Sequence, residues 1–133
     1  MSISKLVIVW VLRCVAAFIM GQSLFFKFSA AEESVYIFST LGMEPVGRIG
    51  TGIVELIASI LLLIPRISWI GAGMGIATMS GAIFFHLTKL GIEINGDGGQ
   101  LFLYAIIALA SCLAIILIEK EKIQQVLPNS FSK

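Results

Sequence analysis

Four long apolar stretches dominate the chain, at about 6–28, 46–64, 67–90 and 100–118. Each approaches or exceeds the roughly 20 mainly apolar residues that a helix needs to cross a bilayer. Arg13 interrupts the first and Glu55 the second; His86 stands near the end of the third, and the fourth holds no charge. Turn chemistry separates them. Ser29 and Glu32 are spaced as a capping box, which predicts a short helix starting there. That helix runs to about Leu41 and stops at Gly42. Val35, Phe38 and Leu41 share one of its faces, with Glu32 and Glu33 in its first turn, as in an interfacial helix. Pro45 suits the first turn of the second span, and Pro65 marks a short turn into the third. Gly91 caps the third span. A loop over 91–99 follows, with Asn95-Gly96 as a tight turn and Asp97 and Gln100 spaced to cap the fourth span. A polar tail, 119–133, closes the chain and is helical to about Pro128.

At 100° per residue each span gathers its polar and small residues on one stripe. The stripes are Arg13, Ala17, Met20, Leu24 and Lys27; Arg48, Thr51, Glu55 and Ser59; Gly75, Met79, Ala82 and His86; Gln100, Tyr104, Ala108 and Ser111. Polar groups facing hydrocarbon are costly, so these stripes turn inward. Gly71 and Gly75 form a small-xxx-small pair that permits close helix approach. The expected fold is all-α: an integral membrane antiparallel four-helix bundle with a short interfacial helix between spans 1 and 2. It forms one transmembrane domain over residues 1–133.

Composition agrees. Of 133 residues, 58% are apolar even before the 13 glycines are added, and only 13% are charged. A soluble domain has about 45–50% apolar residues with glycine included, and about 25% charged. This excludes a disordered chain, a disulfide-rich scaffold and a basic nucleic-acid binder. The first span is expected to be retained rather than cleaved, because Arg13 breaks its apolar run and no A-x-A site follows. Four spans put both termini on one side. Five Lys/Arg fall on that side (Lys5, Arg66, Lys120, Lys122 and Lys133) against three on the other (Lys27, Arg48 and Lys89). The positive-inside rule places both termini in the cytoplasm.

Depth arithmetic predicts one contact. Arg13 lies about 12 Å from Lys5, and Glu55 about 14 Å from Ile64, at 1.5 Å per residue. Both are counted from the same face, so an Arg13–Glu55 pair is expected, with Ser59 and Ser111 completing its shell. That pair is either a structural lock or part of a ligand or proton site. A second cluster (Lys27, Arg48, His86, Lys89, Gln100 and Tyr104) gathers toward the opposite face. His86 and Tyr104 there can donate hydrogen bonds to carbonyl oxygens of a flat apolar ligand. The candidate ligand-binding set is Arg13, Glu55, His86, Tyr104, Lys27, Arg48 and Gln100. No catalytic set is evident: there is no phosphate-binding loop and no nucleophile–base motif. A single His cannot hold a haem through two histidines, and Cys14 and Cys112 have neither zinc nor C-x-x-C spacing, so free thiols and no metal site are expected.

Several stretches resemble DoxX and DoxX-like proteins, small bacterial integral membrane proteins. They are Arg13, Gly21 and Lys27 in the first span, Phe25-Phe-Lys-Phe-Ser, Glu33-Ser-Val-Tyr-Ile-Phe and Leu41-Gly-Met-Glu-Pro. Gly52-Ile-Val-Glu-Leu-Ile-Ala, His86-Leu-Thr-Lys-Leu-Gly and Asp97-Gly-Gly extend the likeness over about 6–118. The resemblance implies a four-helix protein of the bacterial inner membrane. The family takes its name from subunits of an archaeal complex that oxidises thiosulfate and passes electrons to quinone, and other members are linked to redox-stress complexes. It therefore implies a non-catalytic accessory or quinone-binding subunit, with any metal or flavin on a partner subunit. Two other readings stay open: a binding or assembly protein that recognises a lipid or a membrane partner, and a small-solute transporter acting as a homo-oligomer. No intrinsic cofactor and no nucleic-acid partner are expected under any of them.

Overall fold

The computed structural model describes residues 2–126, so the part of the polar tail from 127 onward, with Pro128 and Lys133, lies outside the described residues. The chain is all-helical: α1 (Ile3–Phe28), α2 (Glu32–Thr40), α3 (Val46–Leu62), α4 (Ser68–Phe85), α5 (Gln100–Ile118) and α6 (Lys120–Val126). A π-helical turn, His86–Leu90, prolongs α4. No strand occurs among the described residues.

The four longer helices α1, α3, α4 and α5 pack in a ring, α1 on α3, α3 on α4, α4 on α5 and α5 back on α1. All four predicted stripes face its interior: Ala17, Met20, Glu55, Ser59, Gly75, Met79, Ala108 and Ser111 are buried. Alanine dominates the central core, with Ala16, Ala17, Ala58, Ala72, Ala105 and Ala108 around Met20, Leu62, Met79, Cys112 and Ile115. Small side chains let backbones approach, which matters where lipid is as apolar as the core and van der Waals fit must hold helices together. Gly71 shows how closely: a Cβ there would lie 2.7 Å from the Ala58 carbonyl oxygen and 2.8 Å from the Leu62 nitrogen. Gly75 does the same for another contact, its missing Cβ leaving room for the Cys112 sulfur. The predicted small-residue pair thus serves two interfaces, α4 on α3 and α4 on α5. Both cysteines are free.

The outside is apolar. Phe18, Phe25, Val46, Phe84 and Leu117 are each more than half exposed. Three helical stretches, Ile3–Phe28, Ser68–Leu90 and Gln100–Ile118, are long and apolar enough to cross a bilayer. Together these features make the chain a membrane protein. The second predicted span differs: α3 ends at Leu62 rather than Ile64 and has 17 residues. At 1.5 Å per residue it covers about 26 Å, a little under the roughly 30 Å hydrocarbon core.

The punctuation is partly as predicted. Gly42 and Gly91 take positive φ, 72° and 83°, just beyond their helical segments. The Asp97 amide donates to the Ile94 carbonyl at 3.0 Å across Asn95-Gly96. Both turn residues have positive φ, the conformation of a type I′ turn. The Ser29–Glu32 capping box does not form. Ser29 instead closes α1, its amide donating to the Phe25 carbonyl, and α2 starts without a side-chain cap. The reason is that α1 continues through Phe28, so Ser29 is already committed to the preceding helix. The inward face of α2 keeps the expected Phe38, with Leu41 just beyond the helix on the same side, and carries Ser34 and Ile37 in place of Val35. Of the predicted cap on α5, Asp97 contributes and Gln100 does not. The Asp97 carboxylate accepts from the amides of Ile94, Gly99 and Leu101 at 3.0, 2.8 and 3.3 Å. Burial alone would raise its pKa, but these amides and that of Gln100 outweigh it and hold the carboxyl below its ordinary value.

Candidate functional site

The seven candidate residues divide into three groups. The predicted Arg13–Glu55 pair is not formed. Arg13 donates to Glu119 instead, at the junction of α5 and α6. The Ser68 hydroxyl donates to the other Glu119 oxygen at 3.0 Å. Arg13, Ser68 and Glu119 are all at least 97% buried and tie α1, α4 and α5 together at one end of the bundle. The Arg13 guanidinium also lies over the Trp10 ring, 4.8 Å from its centroid. Lys5 is not level with Ile64, which is why the expected pair does not form. In fact α1 overshoots α3: Ile3 to Ile8 are exposed, and Cys14, next to Arg13, shares a groove with Leu63 at the end of α3. Arg13 is therefore level with the α3–α4 turn, about two helical turns from Glu55. Ser59 does not complete the predicted shell, since its hydroxyl donates to the Glu55 carbonyl one turn back.

Arg48 forms the second group. Its Nε donates to both Glu44 oxygens at 2.8 and 3.0 Å, and its Nη1 donates to the Lys27 carbonyl. It fastens the C-terminal end of α1 to the start of α3 and does not line the cavity described next.

The remaining five residues, Lys27, Glu55, His86, Gln100 and Tyr104, line one cavity of about 480 Å³. It lies at the end of the bundle covered by α2, whose Ser34, Ile37, Phe38 and Leu41 form one wall. Other walls are apolar, from Ile19, Met20 and Phe26 on α1 and from Met79, Phe85 and Leu101. This volume lies within the range of small-molecule sites, and so does an apolar lining with a few placed polar groups. Phe26 and Gln100 are exposed as well as lining, so the cavity reaches the surface.

Its polar groups are built in three units. Lys27 Nζ lies 3.0 Å from Glu55 Oε1, with Lys27 15% exposed and Glu55 3%. Ser23, which sequence reasoning missed, joins them: its hydroxyl accepts from Lys27 at 3.1 Å and stands 2.9 Å from Glu55 Oε2. The pair is possible because Phe28 packs over Gly52, where a Cβ would meet the ring at 2.8 Å. That contact sets Lys27 level with Glu55. The second unit is His86, on the π-helical turn, a backbone irregularity often found at functional sites. Its Nδ1 is 2.9 Å from the Gly91 carbonyl oxygen. A carbonyl can only accept, so Nδ1 carries a proton, which leaves Nε2 as the acceptor whenever the ring is uncharged. In that tautomer His86 accepts from a ligand rather than donating to its carbonyl. The third unit is Gln100 and Tyr104, where Gln100 Nε2 donates to Tyr104 Oη at 2.7 Å. Tyr104 keeps its own proton free to donate. Lys89, placed with this cluster by sequence, is exposed and does not line the cavity.

Glu119 was the other residue missed. Its charge suggests the start of a polar tail, yet it continues the inward stripe Ala108, Ser111 and Ile115 by one more turn. Among the described residues no group of His, Cys, Asp or Glu side chains could hold a metal ion. Comparison with known protein families, with curated proteins and with solved structures gives no match to this chain.

Proposed function

We propose that this chain is a four-span membrane protein that binds an amphipathic small molecule, a quinone or a lipid, in the α2-covered cavity. The observation that carries this reading is the convergence of Lys27, Glu55, His86, Gln100 and Tyr104 on one mostly apolar cavity of ligand size. Residues from α1, α3, α5 and the π-helical turn must come together to build it, which packing alone does not require.

On this reading α3 is the fourth span. It is packed between α1 and α4, and the bilayer thins locally or the helix ends draw in to match its length. The α3–α4 turn and α6 share one end, where Lys122 donates to the Pro65 carbonyl. That end carries Lys5, Arg66, Lys120 and Lys122, which supports a cytoplasmic position for both termini in a bacterial inner membrane. The resemblance to DoxX-like proteins extends the proposal to a non-catalytic accessory role in membrane redox metabolism, beside partner subunits that hold the redox centres.

The test is mass spectrometry of small molecules extracted from the purified protein, wild type beside Glu55→Gln and His86→Ala. A quinone or one defined lipid, present in wild type and depleted from a folded variant, is the expected result. Bulk membrane lipid alone in all three overturns the cavity as a binding site and leaves assembly with a membrane partner as the better reading.

A further inference from the structure

Resting on that reading, we infer that the cavity selects an uncharged ligand whose head carries a hydroxyl group, donated to His86 Nε2. Three observations point this way. First, the Gly91 carbonyl fixes the His86 tautomer, so Nε2 presents a lone pair. His86 lines the cavity, and Nε2 has no hydrogen-bond partner among the described residues. Second, Tyr104 is already an acceptor for Gln100, so toward a ligand it is a donor. Beside the lining carboxylates, His86 thus adds an uncharged acceptor for a ligand hydroxyl and Tyr104 a donor for a ligand oxygen. Third, the charged residues of the lining are one cation, Lys27, and three carboxylates, Glu33, Glu55 and Asp97. Lys27 is paired with Glu55, and Asp97 is held by backbone amides. No free cation is left among the lining residues for a phosphate or carboxylate head, and the surplus of negative charge repels one.

A hydroquinone and a neutral glyceride share this chemistry. The apolar walls from Ile19, Phe26, Met79 and Phe85 take the body of either. A site built to accept from a hydroxyl discriminates against an analogue of the same size that lacks the proton, because its acceptor is then left unpaired.

The experiment measures thermal stabilisation of the full chain in nanodiscs, titrated with four probes: a decyl hydroquinone, the matching quinone, the matching dimethyl ether and dioctanoylglycerol. Binding to the folded state alone raises the transition temperature with probe concentration, which yields relative affinities. The hydroquinone, dioctanoylglycerol or both should bind about tenfold more tightly than the quinone and the ether. Whichever of the two does so identifies the source of the hydroxyl. In His86→Phe the preference should fall to near one. In Tyr104→Phe, which keeps the ring, binding should weaken while the preference for a hydroxyl remains. Equal binding of all four probes to the wild type overturns the hydroxyl inference and leaves the cavity a binding site. No stabilisation by any probe overturns both readings. The comparison of probes on the wild type decides the inference even if His86→Phe does not fold.

Discussion

Arg13 and Lys27 stand on one stripe of α1, about 21 Å apart along the helix axis, and each meets a buried carboxylate. The surroundings differ. Arg13 with Glu119 and Ser68 is shut inside the protein at the junction of three helices, and its Nε and Nη1 are buried without a partner among the described residues. Lys27 with Glu55 and Ser23 lies on the wall of a cavity that reaches the surface. The first cluster is fully buried and holds helices in place. The second has the same chemistry beside open space. A buried ion pair is therefore not evidence of function in itself; the accessible volume next to it makes the difference.

The comparison is most sharply tested at Arg13. Removing one partner of a fully buried pair leaves an uncompensated charge, so Glu119→Ala or Arg13→Ala should cost about 3–5 kcal/mol. Unfolding in detergent, followed by circular dichroism, would measure this. The double variant Arg13→Met with Glu119→Leu should recover most of the loss and keep the bound ligand, because neither residue touches the cavity. A mild effect of the single changes would mean that Arg13 reaches water.

Glu55→Gln should cost less, about 1–3 kcal/mol, because Lys27 is partly exposed and can turn its ammonium outward. Its larger effect should be on ligand retention, read by extraction and mass spectrometry. Should Glu55→Gln destabilise as strongly as Glu119→Ala and keep the ligand, the two regions would have exchanged roles.

Gly71→Ala tests the contact between α3 and α4 that the two clusters flank. Its Cβ would press on the α3 backbone, for a cost of about 1–3 kcal/mol. Gly73→Ala has open space around it and serves as the control, expected to be neutral or slightly stabilising.

The smallest effect belongs to Asp97. Its carboxyl is held below the ordinary value in the fold, so its contribution is present above the unfolded pKa of about 4. It is lost as pH falls through the lower folded value. Melting curves of wild type and Asp97→Ala should differ at pH 7 and draw together as pH falls below about 4. A difference constant across that range would assign the effect to something other than the carboxylate.

The sequence carried the helices, their inward stripes and most of the cavity residues, because 100° periodicity and the cost of polar groups in lipid act locally. It did not carry the vertical register between helices. Register depends on how far one helix overshoots another, which is set by the fit of Phe28 on Gly52 and of Gly71 on Ala58, not by the ends of apolar runs. An error of about two turns was enough to pair Arg13 with the wrong glutamate. The His86 tautomer was also out of reach, since it rests on a carbonyl brought back by the turn at Gly91. Glu119 looked like the first residue of a solvated tail because its charge, read alone, outweighed the stripe that it continues.

The separation of Arg13 from Glu119 by almost the whole chain bears on how the protein is made. Synthesis runs from the N-terminus, so α1 enters the membrane carrying two cations with no counter-charge yet available. An unpaired charge inside a membrane helix is costly, on the order of 2.5–3.5 kcal/mol at the helix centre and less toward its ends. Lys27 finds its carboxylate once α3 emerges, but Arg13 must wait for residue 119, after α5 has been completed. Until then the first helix is held only provisionally. A chain cut short before Glu119 would keep Arg13 in the membrane without its carboxylate.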